Sequence, residues 1–592
     1  MRGLAGSFKS KAPRCIVDVS PQPITSRASR AGSNLNDTER RDIPDEQAQA
    51  LGVLGRPVEA IALYDDILAG DPGNESARIV RATLYRDRGH LHRYLEEIEA
   101  ILEVNPSSII GLNEKYATQA KDRRFRAAAA TLQTALQYHP GADEFRILLV
   151  STGTELNWLD VAKREADRIQ PRDGTWWPGA QRLARERYDE CRAQTRKLLS
   201  TRKQVTAEGE KAFAFELGFH LAEMGRLRMS AKLFKLLMRD NPRSFPSFAR
   251  YAFVLERQQG IDAAVSFLEN LEWLFADDPD YGLARIKYAY DKGMFAGLAS
   301  DATVNSFPLG DEPAASLCGY AMAAEGEYEK LEEYSTRWLN AKPKSAWAGA
   351  YVISSLTALE KIGFVDLSDP SDPAVSPGIN VVQFWDKPEP PQDVVELMSS
   401  WSTQNPTLGY RRFSEASARE FIVRHYGDRE AQAFELCHHP AMKSDYFRLS
   451  YLYKNGGVYV DADDRCLVAI RPILANLATT NLIATVADDR FPGYIHNWFL
   501  AANPGSQVLR LALAQATSDI HDLEGRPRRP DIWETTGPGL ITRCIATVCS
   551  RIGLDIDEQV RLMTLRQYRT FVRVQVNLPY KQSFDGNWRN FC

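Results

Sequence analysis

Between about residue 46 and residue 360, apolar side chains return every three or four positions, which is the spacing of amphipathic helices. Prolines punctuate the pattern. Pro72, Pro106, Pro140 and Pro171 stand 34, 34 and 31 residues apart, and Pro242, Pro279 and Pro343 form a second set. Proline cannot continue a helix, so each marks an end. Ala60 and Tyr64 share a helical face before Pro72, with Gly55 in the preceding turn. Ala128, Leu132 and Ala135 precede Pro140, and Ala231 and Phe234 precede Pro242. A small residue lets two helices approach, and a bulky one on the next turn fills the gap. Residues 171–205 fit no clean unit, so one distorted array and two shorter ones both fit the pattern.

A helical hairpin of this kind cannot bury its face alone, so hairpins stack into a solenoid. The region resembles the tetratricopeptide family, whose period is about 34 residues. Such solenoids present a concave face to a peptide or partner chain, or serve as a spacer or self-association arm. Both roles stay open. The charges here read as solvated helical faces with no catalytic role.

After Ser368 the rhythm breaks. Pro370, Pro373 and Pro377 mark a linker, and beyond it strand and helix patterns alternate, as in an α/β domain. The pattern predicts strands over 379–385, 458–464, 481–487 and 495–502. It predicts helices over 414–426 and 440–455, one from Ser506 with that serine as cap, and one following Thr536-Gly537-Pro538. The expected organisation is a disordered leader over 1–45, helical repeats over 46–365, a linker over 366–378 and the α/β domain over 379–592.

The candidate chemistry lies in AMKSDYFRLSYLYKNGGVYVDADD, residues 441–464. In an extended strand Asp461 and Asp463 point to the same face, and at the C-terminal end of a strand both reach one crevice. Two hard oxygen donors suit Mn2+ or Mg2+. Asp464 is a spare acid for an outer contact. Asp445 and Arg448, three apart on a helix, have Cβ atoms about 5–6 Å apart. They form either an ion pair or a matched acceptor and donor for a sugar and its phosphates. The Gly456-Gly457 turn ties that helix to the strand. Arg465 stands where dehalogenase-type phosphatases want Thr or Val.

Lys443, Ser444, Asp445, Arg448, Leu452, Tyr453, Gly456, Gly457, Tyr459, Asp461 and Asp463 together resemble the DXD-containing sugar-binding region of family 32 glycosyltransferases, distant kin of glucosylating bacterial toxins. The resemblance implies a GT-A (Rossmann-like) fold and transfer from a UDP- or GDP-sugar, usually with retention. It implies that Asp445 and Arg448 contact the donor sugar and that Asp461 meets ribose, sugar or metal. It also implies that Asp463 binds the metal. The family's H-Q-x-W is V-Q-F-W here, ending in Trp385, which either stacks on the nucleotide base or closes the first strand. Asn497 matches a further family position, and Asn587-Trp588 resemble a terminal G-S-W whose polar residue and Trp serve metal and phosphates. Asn587 replaces the serine. The expected acceptor is a saccharide, glycolipid or protein. The competing expectation is a repeat scaffold with a degenerate transferase domain.

Charge and cysteine usage narrow the picture. A net charge of −4 over 592 residues gives no nucleic-acid footprint. No apolar run is long enough to span a membrane. Eight scattered cysteines without CxxC predict neither a disulfide framework nor a structural zinc site. They fit reduced thiols in a cytoplasmic protein, free or peripheral to a membrane.

Overall fold

The computed structural model describes residues 37–169, 178–202, 205–206, 209–300, 312–368, 378–487, 491–523, 531–551, 553–574 and 578–582. The chain forms helical hairpins followed by an α/β domain, and contacts divide it into two compact units. One unit is built from residues 115–292. The other joins residues 36–114 to residues 293–592.

In the 115–292 unit, helices follow one another in antiparallel hairpins. Ala128, Leu132 and Ala135 of helix Phe125–Tyr138 are fully buried, as is Phe234. Residues that fit no repeat form the long helix Pro178–Thr201. Not every charge lies on a solvated face. Arg126 donates to Glu256 at 2.9 Å and Asp291 at 2.7 Å and lies over the Tyr288 ring, and both acids are buried. Desolvation makes such charges tenable only when paired, and here they are.

In the other unit, helices Asp37–Leu54, Pro57–Gly70 and Glu75–Asp87 pack around Ala60, Tyr64, Leu68 and Leu84, and helix Leu91–Val104 packs against Glu75–Asp87. Helix thus begins at Asp37, ahead of the 46 expected from periodicity. The hairpins over 312–358 close on this first set: His92 Nδ1 lies 2.8 Å from the carbonyl of Ala324. Helix Ala346–Ala358 is buried apart from Trp347, as its apolar sequence requires. Its Gly349 lies so close to helix Pro538–Cys549 that a Cβ would stand 2.8 Å from Arg543 Cα. Residues 363–365 then pair with the sheet edge: Val365 N–H donates to the carbonyl of Leu562 at 2.8 Å.

The sheet has six strands in the order β2-β1-β3-β6-β5-β7. They are β1 Asn380–Phe384, β2 Gly409–Phe413, β3 Gly457–Val460, β5 Leu482–Val486, β6 Ile495–Ala502 and β7 Arg561–Met563. β1 runs parallel to β2 and β3, and β6 runs antiparallel to β3 and β5. A small ribbon pairs β4 Asp464–Cys466 with β8 Val572–Val574. Val381, Val458, Val460, Ile483 and Phe499 form the core beneath it with Trp401, Ile470 and Tyr568.

Two local expectations need correction. β3 ends at Val460, so Asp461 to Asp463 occupy a turn and do not share a strand face. The Asp461 N–H still donates to Trp498 on β6, and then Ala462 packs with Val394 and Met398, which bends the chain. Ser506 precedes helix Gln507–Asp522, but its hydroxyl makes no cap bond.

Candidate active site

Helix Pro440–Asn455 opens with His439, whose ring Nδ1 accepts from Ala441 N–H, and with proline at its first position. It stops at two glycines for a steric reason. Gly456 and Gly457 have φ of +66° and +102°, and Cβ atoms there would meet the carbonyls of Ala502 at 2.8 Å and Asn380 at 2.7 Å. Only glycine fits such positions without strain. The chain therefore passes from helix into β3 with no slack, which fixes Asp445 and Arg448 relative to Asp461.

Arg448 is the centre of the arrangement and is 3% exposed. Its Nη2 lies 3.0 Å from Asp445 Oδ1 and 3.0 Å from Asp461 Oδ1. Nη2 also donates to Ser444 Oγ at 3.1 Å, and Nη1 donates to the carbonyl of Asn497. The guanidinium rests over Tyr459, 4.3 Å from the ring centroid, adding a cation–π contact. Burial acts against its charge, but Asp461 first, then Tyr459 and Asp445, more than offset this and raise its pKa.

Asp445 is buried among protein donors. Asn497 Nδ2 reaches Oδ1 at 2.9 Å and Thr536 Oγ1 reaches Oδ2 at 3.3 Å. Burial nevertheless pushes its carboxyl up to about 6, against the opposing pull of Arg448, Thr536 and Asn497. The guanidinium is shared with Asp461, so it does not fully compensate Asp445.

The turn spreads the remaining acids. Asp463 Oδ2 accepts from Tyr580 OH at 2.6 Å, and Asp464 Oδ2 accepts from Tyr568 OH at 2.9 Å. Trp385 meets the Tyr580 ring edge-on at 5.2 Å, and its buried Nε1 finds no hydrogen-bond partner among the described residues. The structure thus brings together Trp385, Asp445, Arg448, Asp461, Asp463 and Asn497, linked through Tyr459 and Tyr580. Asn587 and Trp588 lie outside the described residues. Tyr568 and Tyr580 are additions that the sequence did not flag; each sits in a short C-terminal helix with no motif around it.

The carboxylate oxygens of Asp461 and Asp463 are of the donor type that a hard divalent cation takes. Both phenols have raised pKa values, by burial first and then by the field of Asp461, Asp463 and Asp464.

Residues 391–479 match the family model described as "Glycosyltransferase sugar-binding region containing DXD motif". The α/β domain is similar to glycosyltransferases of the DXD kind. The matched stretch contains Asp445, Arg448, Asp461 and Asp463, while Trp385 and Asn497 fall outside it. A curated relative, "Initiation-specific alpha-1,6-mannosyltransferase" of Schizosaccharomyces pombe, is 24% identical over 185 residues. That match covers 27% of this chain and 47% of the relative, so the chain spans about half of that protein's length. Among solved structures, "PaToxG Glycosyltransferase" aligns with 38% of this chain and 80% of its own, at 14% identity and a TM-score of 0.24. "Crystal structure of YrrB: a TPR protein with an unusual peptide-binding site" aligns with 37% of this chain and 95% of its own, at 15% identity and a TM-score of 0.17. Likeness at these scores supports nothing further about this chain.

Proposed function

We propose that this chain is a metal-dependent, retaining glycosyltransferase that moves a sugar from a nucleotide-sugar donor to a saccharide, glycolipid or protein hydroxyl. The observation that carries the reading is the Arg448 guanidinium, held between Asp445 and Asp461 at the DXD turn. Asp461 and Asp463 would hold Mn2+ or Mg2+, with Asn587 as a further candidate ligand. The ion would supply Lewis-acid neutralisation of the departing diphosphate.

The chain's own residues do the rest. Arg448 offers a fixed positive charge where negative charge develops on the leaving phosphate. Asp445 orients Arg448 and, when ionised, accepts from sugar hydroxyls. Trp385 stacks on the nucleotide base, which its half-buried indole suits, and Trp588 attends the phosphates. The acceptor oxygen bonds to the anomeric carbon on the face that the diphosphate leaves. The carbon–oxygen bond to phosphate breaks, and the acceptor proton passes to a phosphate oxygen. The product is α-linked. Mannose is the first donor sugar to test, since the curated relative is named as an α-1,6-mannosyltransferase. The repeats are proposed to engage the acceptor, a protein partner or a second copy. Among the described residues, six buried cysteines outside any disulfide favour a reducing, cytoplasmic setting. Among the described residues no helix is long and apolar enough to cross a membrane.

The test is release of nucleoside diphosphate from a panel of UDP- and GDP-sugars with Mn2+. Asp463→Ala is expected to lose both transfer and donor hydrolysis while its circular dichroism stays native. Full activity in that variant, or silence of the folded wild-type chain across the panel, overturns the reading; silence returns the chain to the role of a repeat scaffold.

A further inference from the structure

A second cluster lies in the 115–292 unit, in another compact unit from the DXD turn. Cys191 comes from helix Pro178–Thr201, and His220 and Glu223 come from helix Glu210–Glu223. Spaced i and i+3, the last two share a face and meet the cysteine from the neighbouring helix. Cys191 Sγ lies 3.6 Å from His220 Nδ1 and 3.5 Å from Glu223 Oε2, and those two atoms are 3.5 Å apart. Cys191 and Glu223 are buried, and the histidine side chain is 19% exposed.

These separations form a nearly equilateral triangle. Tetrahedral zinc bonds of about 2.3 Å to sulfur and about 2.0–2.2 Å to nitrogen and oxygen place ligand atoms roughly 3.3–3.6 Å apart. The observed edges fall within that range. Hydrogen bonding accounts for the two sulfur edges, and Cys191 Sγ also donates to the carbonyl of His220 at 3.7 Å, but it fits the third edge less well. A charge-assisted N–H donor to carboxylate contact ordinarily closes to about 2.7–2.9 Å, well short of the separation between the imidazole and Glu223. The three atoms surround a common point.

We propose that Cys191, His220 and Glu223 form a zinc site that clamps helix Pro178–Thr201 to helix Glu210–Glu223. One soft sulfur, one imidazole nitrogen and one carboxylate suit Zn2+ over Mg2+ or Mn2+. A thiolate and a carboxylate together neutralise the ion, and water completes the fourth position. Burial first, and then the Glu223 charge, push the Cys191 thiol up to about 12. Binding therefore displaces the thiol proton: the S–H bond is exchanged for S–Zn and one proton leaves to solvent.

Cobalt(II) titration of the full-length, metal-stripped protein tests this. The expected result is a near-ultraviolet thiolate-to-cobalt band saturating at one equivalent and displaced by Zn2+. Carboxylates of the DXD turn give no thiolate band, so the two sites are distinguishable. Cys191→Ser and His220→Gln should each remove the band, and zinc should raise the melting temperature of wild type but not of these variants. Absence of the band in wild type, or its persistence in both variants, overturns the proposal. The wild-type titration decides even if a variant fails to fold.

Discussion

A single guanidinium serving two carboxylates leaves one of them short of charge, and here it is Asp445. Its pKa of about 6 stands above the ordinary 3.8. The folded chain therefore binds this proton more tightly than the unfolded chain does. The sign follows from linkage: this group favours the fold most at low pH, and that contribution falls as pH rises from about 4 through about 6. Activity runs the other way if the ionised carboxylate orients Arg448. The profile of log kcat/KM for donor against pH should carry an acid limb near 6, and that limb should vanish from the residual activity of Asp445→Asn. A wild-type profile flat down to pH 5 removes Asp445 from this role. The residues of this centre were legible because three lie in one motif, and helical spacing puts Asp445 and Arg448 on one face. Asn497 was legible only through family resemblance. Tyr568 and Tyr580 were not legible, because they reach Asp464 and Asp463 from more than a hundred residues downstream, through pairings that local pattern does not encode.

At the scale of the element, the Gly456-Gly457 turn sets the geometry. A methyl group at 457 meets two penalties, a positive φ and a backbone carbonyl 2.7 Å away. Gly457→Ala should cost about 1–3 kcal/mol from the backbone strain alone, more once the clash is included, and should lower the melting temperature by several degrees. Because the displaced strand leads to Asp461, donor turnover should fall further than the lost stability explains at assay temperature. A variant that melts like wild type and turns over normally shows that the turn has slack. The glycine pair was readable as a helix stop. The turn at Asp461–Asp463 was not, since a run of β-branched and aromatic residues gives no sign of where pairing ends. That end is set by β6, whose Trp498 carbonyl takes the last N–H, and by the pocket that receives Ala462.

Across the whole chain, periodicity reveals the hairpins but not which core each one joins. The repeat signal of residues 46–104 resembles that of residues 125–168, yet the first group belongs to the compact unit that contains the sheet. Hydrogen bonds from two residues tie the first group to that unit. Leu367 N–H donates to the carbonyl of Leu54 at 3.1 Å, and Arg566 donates to Asp87 and Thr83. All three hydrogen bonds link residues far apart in sequence, which composition and spacing cannot announce. Helix Ala346–Ala358 adds the apolar cover for helix Pro538–Cys549. A fragment starting at residue 366 would uncover that face and remove the partner of the β7 edge. Burial of an exposed apolar face is worth about 25 cal/mol per Å², so losing such a cover draws directly on the marginal stability of an ordinary domain. The 366–592 fragment should be insoluble, or bind a hydrophobic dye and melt without cooperativity, whereas the full chain melts cooperatively in this unit. The measurement is soluble yield and the thermal transition of the fragment beside the full chain. A fragment that melts sharply and releases nucleoside diphosphate at the full chain's rate would show that the α/β domain folds and works without the repeats.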